Sequence, residues 1–334
     1  MKPAGGNAMR NRLPLLLATT GIFLAATAPA WPQAFPSKPV RIISPYPTGI
    51  APDGAVRVIA DKLAQAWGQN VIVDPRPGAN GFIAIGIAKK AADDGHQLLL
   101  AGNAHLAINP NLFRSVPYDP VKDFAPLSTI YRAIFFVAVA SGGPARSVPE
   151  LIARAKAGTG KVSYSSPYIG SPPHIGGALL AHMTGTSMLH VPFKEGAQVY
   201  LAVANGDVDW ALGTVGSTHA LVSAGRLRLI AVTAKSRLPS HPDVPTVAEA
   251  GGPAGYELDT WVSIVAPRGT PRHVVNRVSG DIAKVLALPD LGERFRAGLG
   301  VEPFATTPAQ MAELLRADLK SYGELIKRTG ITAE

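Results

Sequence analysis

The reading of this chain turns on residues 35–69, FPSKPVRIISPYPTGIAPDGAVRVIADKLAQAWGQ. Val40, Ile42 and Ile43 form a short β-branched run that predicts a buried strand. Pro45, Pro47, Gly49 and Pro52 then break regular structure and predict a stiff loop. Asp53 stands where an N-cap is expected, and Val56, Ile59, Ala60, Leu63 and Trp67 follow at helical spacing. Gly68 supplies the stop, and Val71, Ile72 and Val73 start the next strand. The sum is a strand–loop–helix–strand unit, the beginning of a parallel sheet. In such sheets ligands sit beyond the carboxyl ends of the strands, where loop amides and helix N-termini point outward.

The same alternation continues downstream. Residues 97–100 read as a strand, with Asn103, Ala104 and His105 on its carboxyl side. Residues 106–124 carry the Pro and Asp punctuation of an irregular excursion. Residues 125–140 read as two strands, with a first passage between lobes near Arg132. A second polar, Pro/Gly-rich loop, SSPYIGSPPHIGG, follows the strand at 161–165 and opens a helix at 174–184. Strands are expected at 189–191, 208–212 and 228–233, with residues 213–217 as a loop. A Pro-rich bridge leads to a strand at 258–267, and helices near 271–286 and 308–329 close the chain. The fold class is therefore α/β, in two halves that each carry polar loops at strand ends.

Of 334 residues, 47% are hydrophobic and 16% charged, which is ample material for a core. Cysteine is absent, so disulfides, thiolate chemistry and cysteine-based metal sites are excluded. Three of the nine net positive charges, Lys2, Arg10 and Arg12, lie in an N-terminal segment with an export layout. A positive region precedes an apolar run at 13–26, and Ala28-Pro29-Ala30 is a small-x-small cleavage site. Residues 1–30 are expected to be a signal peptide, leaving a mature N-terminus at Trp31 or Phe35 and a soluble periplasmic product. The remaining basic residues are scattered, without the patch or aromatic interleaving that nucleic acid requires.

Motifs for catalysis fail on spacing. Gly158-Thr159-Gly160-Lys161 lies between a helix and a strand, the wrong order for a phosphate loop, and Val162 stands where magnesium needs Ser or Thr. There is no GxSxG elbow and no HExxH. Ser171 and His174 read as a helix cap with a His one turn on. An enzyme would need Ser171, His174 and an acid such as Asp209 within hydrogen-bond reach.

Read together, several segments resemble the Bug family, the periplasmic receptors of tripartite tricarboxylate transporters. They are the loop Pro45 to Gly49 with Asp53 and Arg57, Arg76-Pro77-Gly78-Ala79, LAINPNLF at 106–113 and VPYDPVKDFAPLS at 116–128. Gly170-Ser171 with His174, HVPFK at 190–194, residues 206–209 and PDVPTVAEAG at 242–251 complete the set. The resemblance implies a two-lobed type II periplasmic binding protein, a Venus flytrap with its ligand cleft between the lobes. It implies capture of a small carboxylate for the membrane subunits of a transporter, without catalysis, metal or cofactor. Lobes are expected at 31–132 plus 256–334, and at 133–255, in a monomer. The rival readings are an exported α/β enzyme using Ser171 and His174, and a ligand sensor for a membrane partner.

Four strand-end loops, with Thr214 beside them, are expected to meet across the cleft. They supply Tyr46, Pro47, Thr48 and Gly49; Asn103 and His105; Ser165, Ser166, Tyr168, Gly170, Ser171 and His174; and Lys194. Amides near Gly49 and Ser171 are expected to hold one carboxylate, with Ser166, Ser171 and Thr214 as side-chain donors. Tyr46 and Tyr168 would wall the apolar part of the ligand, and Lys194 would add charge. The chain departs from the family pattern in three places: the loop after Pro47 is not glycine-rich, Tyr168 stands in a loop that is usually small, and Glu195 follows Lys194. Extra bulk and an added acid point to an unusual, more apolar carboxylate.

Overall fold

The computed structural model of the chain describes residues 35–158, 160–193 and 196–332. The expected signal peptide, Trp31 and Lys194 lie outside the described residues. Strand β1 (Val40–Ser44), helix α1 (Ala51–Trp67) and strand β2 (Val71–Pro75) form the expected opening unit. Helix α2 (Phe82–Lys89) returns to β3 (Gln97–Gly102), and β1 pairs in parallel with both β2 and β3. One correction concerns Asp53. The N-cap of α1 is Ile50, with Pro52 in the first turn, and Asp53 sits inside the helix.

The excursion read from sequence as irregular from residue 106 begins as helix: a π-helical turn at Ala104–Ile108 runs into α3 (Asn109–Leu112). Pro110 stands at the start of α3, where the π-helical turn passes into the α-helix. The chain then enters β4 (Phe124–Ile134) and β5 (Phe136–Ala140), which belong to different sheets. The passage between them is Phe135.

The second sheet is built from β5, β6 (Ser163–Ser166), β7 (Leu189–Pro192), β8 (Trp210–Gly213) and β9 (Leu227–Val232), in the order β7-β6-β8-β5-β9. Helices α4 (Val148–Ala157), α5 (Pro172–Thr184), α6 (Gly196–Asn205) and α7 (Val215–Ser223) cover its faces. Helix α7 includes part of the stretch expected to be a loop. Thr214 caps it, its hydroxyl accepting the Ser217 N–H at 3.3 Å. The return strand β10 (Asp259–Pro267) inserts between β3 and β4, antiparallel to both. Helices α8 (Arg272–Leu286) and α9 (Pro289–Glu293), a π-helical turn at Arg294–Leu299, β11 (Glu302–Pro303) and α10 (Pro308–Thr329) complete the first lobe. Its sheet order is β11-β4-β10-β3-β1-β2.

Each sheet is packed on both faces. In the first lobe, α1 and α8 bury Val56, Ile59, Leu63, Val278 and Ile282 on one side, while α2 and α10 close the other with Ile85, Met311 and Leu315. The two crossings between lobes are tied by Thr233, which is fully buried. Its backbone N–H donates to Phe135 O at 2.9 Å and its hydroxyl donates to Leu258 O at 2.6 Å. Phe135 N–H donates in turn to the Thr233 hydroxyl at 3.2 Å.

Candidate functional site

The β1–α1 loop is held from below by Asp53, which is only 2% exposed. Its carboxylate accepts the Gly49 N–H at 3.0 Å and the Arg57 Nε and Nη2 groups, each at 3.0 Å. The Gly49 amide expected to hold a ligand carboxylate is therefore already occupied by the chain's own acid. Gly49 has φ +90°, a backbone conformation that favours glycine.

Tyr46 projects from this loop and is buried, packed edge-on against His105 with ring centroids 5.0 Å apart. His105 accepts the Gly102 N–H at its Nδ1, 3.4 Å away, which puts its ring proton on Nε2. Burial lowers its pKa to about 4, so the ring is neutral. A Cβ on Gly81 would lie 2.7 Å from His105 Nε2, so glycine is required beside this ring. Asn103, expected alongside, turns the other way. Its amide donates to the Tyr322 hydroxyl at 3.1 Å, and its carbonyl accepts from Thr260 at 2.6 Å.

In the second lobe the β6–α5 loop carries Tyr168, half-buried, whose hydroxyl burial pushes up to about 12. The loop reaches the first lobe: a Cβ on Gly170 would come within 2.8 Å of Leu112. Ser171 caps α5, its hydroxyl accepting the His174 N–H at 3.3 Å. Pro172 and Pro173 in the first turn have no N–H, the Ser171 N–H goes to Tyr168 O at 3.2 Å, and the Gly170 N–H goes to His174 Nδ1 at 3.0 Å. The amides expected to be free at Ser171 are thus internally satisfied. Ser166 donates to Tyr168 O at 3.1 Å and lies 2.7 Å from His190 Nε2, while Ser165 is spent on Val199 O.

His174 and His190 stack with centroids 3.9 Å apart. Burial lowers them to about 4 and about 3, His190 also feeling His174, so both are neutral at pH 7. The sequence reading quoted His190 only as part of HVPFK and did not assign it a role. The Ser171 hydroxyl meets the backbone N–H of His174 rather than its ring, whose Nδ1 is taken by Gly170. Asp209 is bonded to Ser163 and Arg154. The three groups do not form a nucleophile–base–acid relay.

Between the lobes two glycines allow a backbone-to-backbone approach. A Cβ on Gly216 in α7 would overlap Leu299 O, and one on Gly300 would overlap the Gly216 nitrogen. Thr214, the cap of α7, therefore stands beside the contact with the first lobe.

A cavity of about 960 Å³ opens away from these loops, lined by Arg132, Asp259, Asp318 and Tyr322 of the first lobe and by His182, Thr233 and Lys235 of the second. Asp318 accepts the Trp261 Nε1–H at 2.7 Å, and burial pushes its carboxyl up to about 6. A raised acid pKa stabilises the fold below the unfolded value near 3.8, and that contribution disappears as pH rises through 6. Asp318→Asn is therefore expected to raise the melting temperature at pH 8 by a few degrees, on the order of 1–2 kcal/mol after allowing for partial exposure. The gain should shrink through pH 6 and vanish at pH 4; a pH-independent shift in thermal melts would contradict it.

Residues 55–331 match the family described as tripartite tricarboxylate transporter family receptor. A UPF0065 protein from the tcbD–tcbE intergenic region of Pseudomonas sp. (strain P51) is 34% identical over 294 residues, spanning 88% of this chain and 87% of the relative. Among solved structures, R. palustris Rpa4515 with adipate is 30% identical, with a TM-score of 0.83 over 89% of this chain and 99% of its own. The periplasmic binding protein BugD is 26% identical, with a TM-score of 0.79 over 90% and 100% of the two chains. The two-lobed periplasmic-binding-protein architecture is shared with solute-binding receptors. The chain belongs to the receptor family of the tripartite tricarboxylate transporters.

Proposed function

We propose that this chain is a periplasmic receptor that closes its two lobes over a small organic carboxylate and presents it to the membrane subunits of a tripartite transporter. The carrying observation is that the β6–α5 loop of the second lobe, which carries Tyr168, reaches the first lobe at Leu112, while the strand-end loops of the first lobe present the packed neutral rings of Tyr46 and His105, in a family of receptors. Neutral donors suit a carboxylate because charge-assisted hydrogen bonds need only one ionised partner. The adipate held by Rpa4515 makes a linear acid with a methylene body a reasonable class of ligand for this chain as well. We assign residues 35–134 and 259–332 to one lobe and residues 136–258 to the other, the chain passing between them at Phe135 and after Leu258. We assign Tyr46, Pro47, Thr48, His105, Tyr168, Gly170, Lys194 and Thr214 to the walls of the cleft. Gly49, Ser166, Ser171 and His174 act by shaping the loops, and Asn103 and Ser165 serve the hinge and the lobe interior.

The test is a thermal-shift and calorimetric screen of four- to eight-carbon carboxylates, with the matching amides as controls, on protein freed of co-purified ligand. Periplasmic material should begin at Trp31 or Phe35. At least one carboxylate should raise the melting temperature by several degrees while its amide does not. Stabilisation by the amides as strongly as by the acids would sink this reading.

A further inference from the structure

We infer that helix α5 is a lever seated on the hinge, and that the cavity between its C-terminal half and α10 is the space into which it swings. Side chains facing that cavity then set ligand affinity without touching the ligand. This deepens the receptor reading above and rests on it.

Helix α5 belongs to the second lobe, and its midpoint lies at the passage to the first. The Tyr256 hydroxyl donates to Gly176 O at 3.0 Å, and a Cβ on Gly176 would come within 2.4 Å of the Leu258 side chain. Leu258 immediately precedes β10 of the first lobe, and its carbonyl accepts the Thr233 hydroxyl at 2.6 Å. Glycine at 176 therefore seats the helix directly on the crossing, at the point where Thr233 ties it to Phe135.

The two halves of the helix meet the first lobe differently. On the N-terminal side of the seat the contact is close. An added Cβ on Gly170 would stand 2.8 Å from Leu112, and Ile175 is fully buried in an apolar cluster with Ile108 and Leu112. On the C-terminal side the helix stands off. His182 and Met183 line the cavity of about 960 Å³, and Ser321, Tyr322 and Leu325 of α10 line it from the first lobe. Facing helices ordinarily interdigitate without voids, so a gap of this size leaves one half of α5 free to move. At about 1.5 Å per residue, Gly170 and Met183 each lie roughly 10 Å from Gly176 along the helix. A rotation about the crossing that lifts Gly170 off Leu112 drives Met183 toward α10 by a similar distance. Opening the cleft thus fills the cavity, and closing the cleft empties it. Bulk placed in the cavity opposes opening and shifts the ligand-free population toward the closed form, which is the form that binds.

The experiment places the same bulk from opposite walls, in Met183→Trp and in Ser321→Trp, so that a folding defect in one lobe leaves the other variant to report. Each should tighten adipate binding by calorimetry roughly three- to tenfold, a gain bounded by the closed fraction already present in the parent. Each should also lower the radius of gyration of the ligand-free protein in small-angle scattering. Met183→Cys combined with Ser321→Cys, in a chain with no other cysteine, should form a disulfide in the ligand-free protein, and at least about tenfold more slowly with saturating adipate. Adipate affinity that is unchanged or weakened in both Trp variants, or an oxidation rate indifferent to adipate, rejects the lever alone. A parent that does not bind adipate counts against the receptor reading, and scattering of the Trp variants then decides the lever by itself: a smaller radius upholds it and an unchanged one rejects it.

Discussion

Gly216→Ala is expected to cost roughly ten- to hundredfold in ligand affinity while leaving the ligand-free protein as stable as the parent. The added methyl group would overlap the Leu299 carbonyl, and a further close contact awaits it at the Gly300 nitrogen, 3.2 Å away. Both obstacles are backbone, so no rotamer change relieves them, and the lobes must stand further apart at this point. A ligand that bridges the lobes binds only the arrangement in which they meet. Every unit of free energy spent on opening the contact is subtracted from binding. Alanine also favours α7 over glycine by about 0.5–1 kcal/mol, so folding itself is not penalised. Calorimetry and thermal melts of the same preparation separate the two effects. Unchanged affinity would mean that the Gly216–Gly300 contact takes no part in closure.

Asp53→Ala is expected to produce the largest loss of stability, about 2–4 kcal/mol, or roughly 5–10 °C in melting temperature. The carboxylate is 2% exposed and satisfies both the Gly49 N–H and the Arg57 guanidinium. Its removal leaves a loop amide unpaired and a guanidinium without its anion. The exposed side of Arg57 returns partly to water, which keeps the estimate below that of a fully buried pair. Asp53→Asn retains an acceptor for Gly49 but not the charge, and should fall about midway. Denaturant melts of the three proteins measure the order; an alanine variant as stable as the parent would show that the loop is held by other contacts.

Periodicity made the opening βαβ unit and the closing helix legible from the sequence. Helix α10 runs over the predicted residues 308–329 because Thr307 and Gln310 form a capping box and Gly330 ends it. The family motifs carried the two-lobed architecture. Helix α7 was not legible, since VGSTHALVS mixes β-branched and hydroxyl residues that favour other conformations when isolated. It forms through the Thr214 cap and packing on α6. The site was read at the level of loops, not atoms. Which amides remain free depends on whether a cap, a proline or a neighbouring acid consumes them, as at Gly49, Ser171 and Pro172. His190 was missed because a single histidine in HVPFK gives no sign of the ring it stacks on.

The position of β10 has a consequence for how the molecule acquires its structure. It fills the slot between β3 and β4, yet it is made only after the whole second lobe. Until residues 259–267 arrive, the apolar strands Gln97–Gly102 and Phe124–Ile134 each keep an open edge, and open edges recruit foreign strands. The second sheet needs only strands lying between residues 136 and 232, so it has every partner it requires at once. The lobe begun first is therefore the lobe completed last, and its rate of completion is set by a long-range pairing event. A chain cut short before residue 259 would carry a finished second lobe beside the unprotected edges of β3 and β4, and its fate would be aggregation rather than half a receptor.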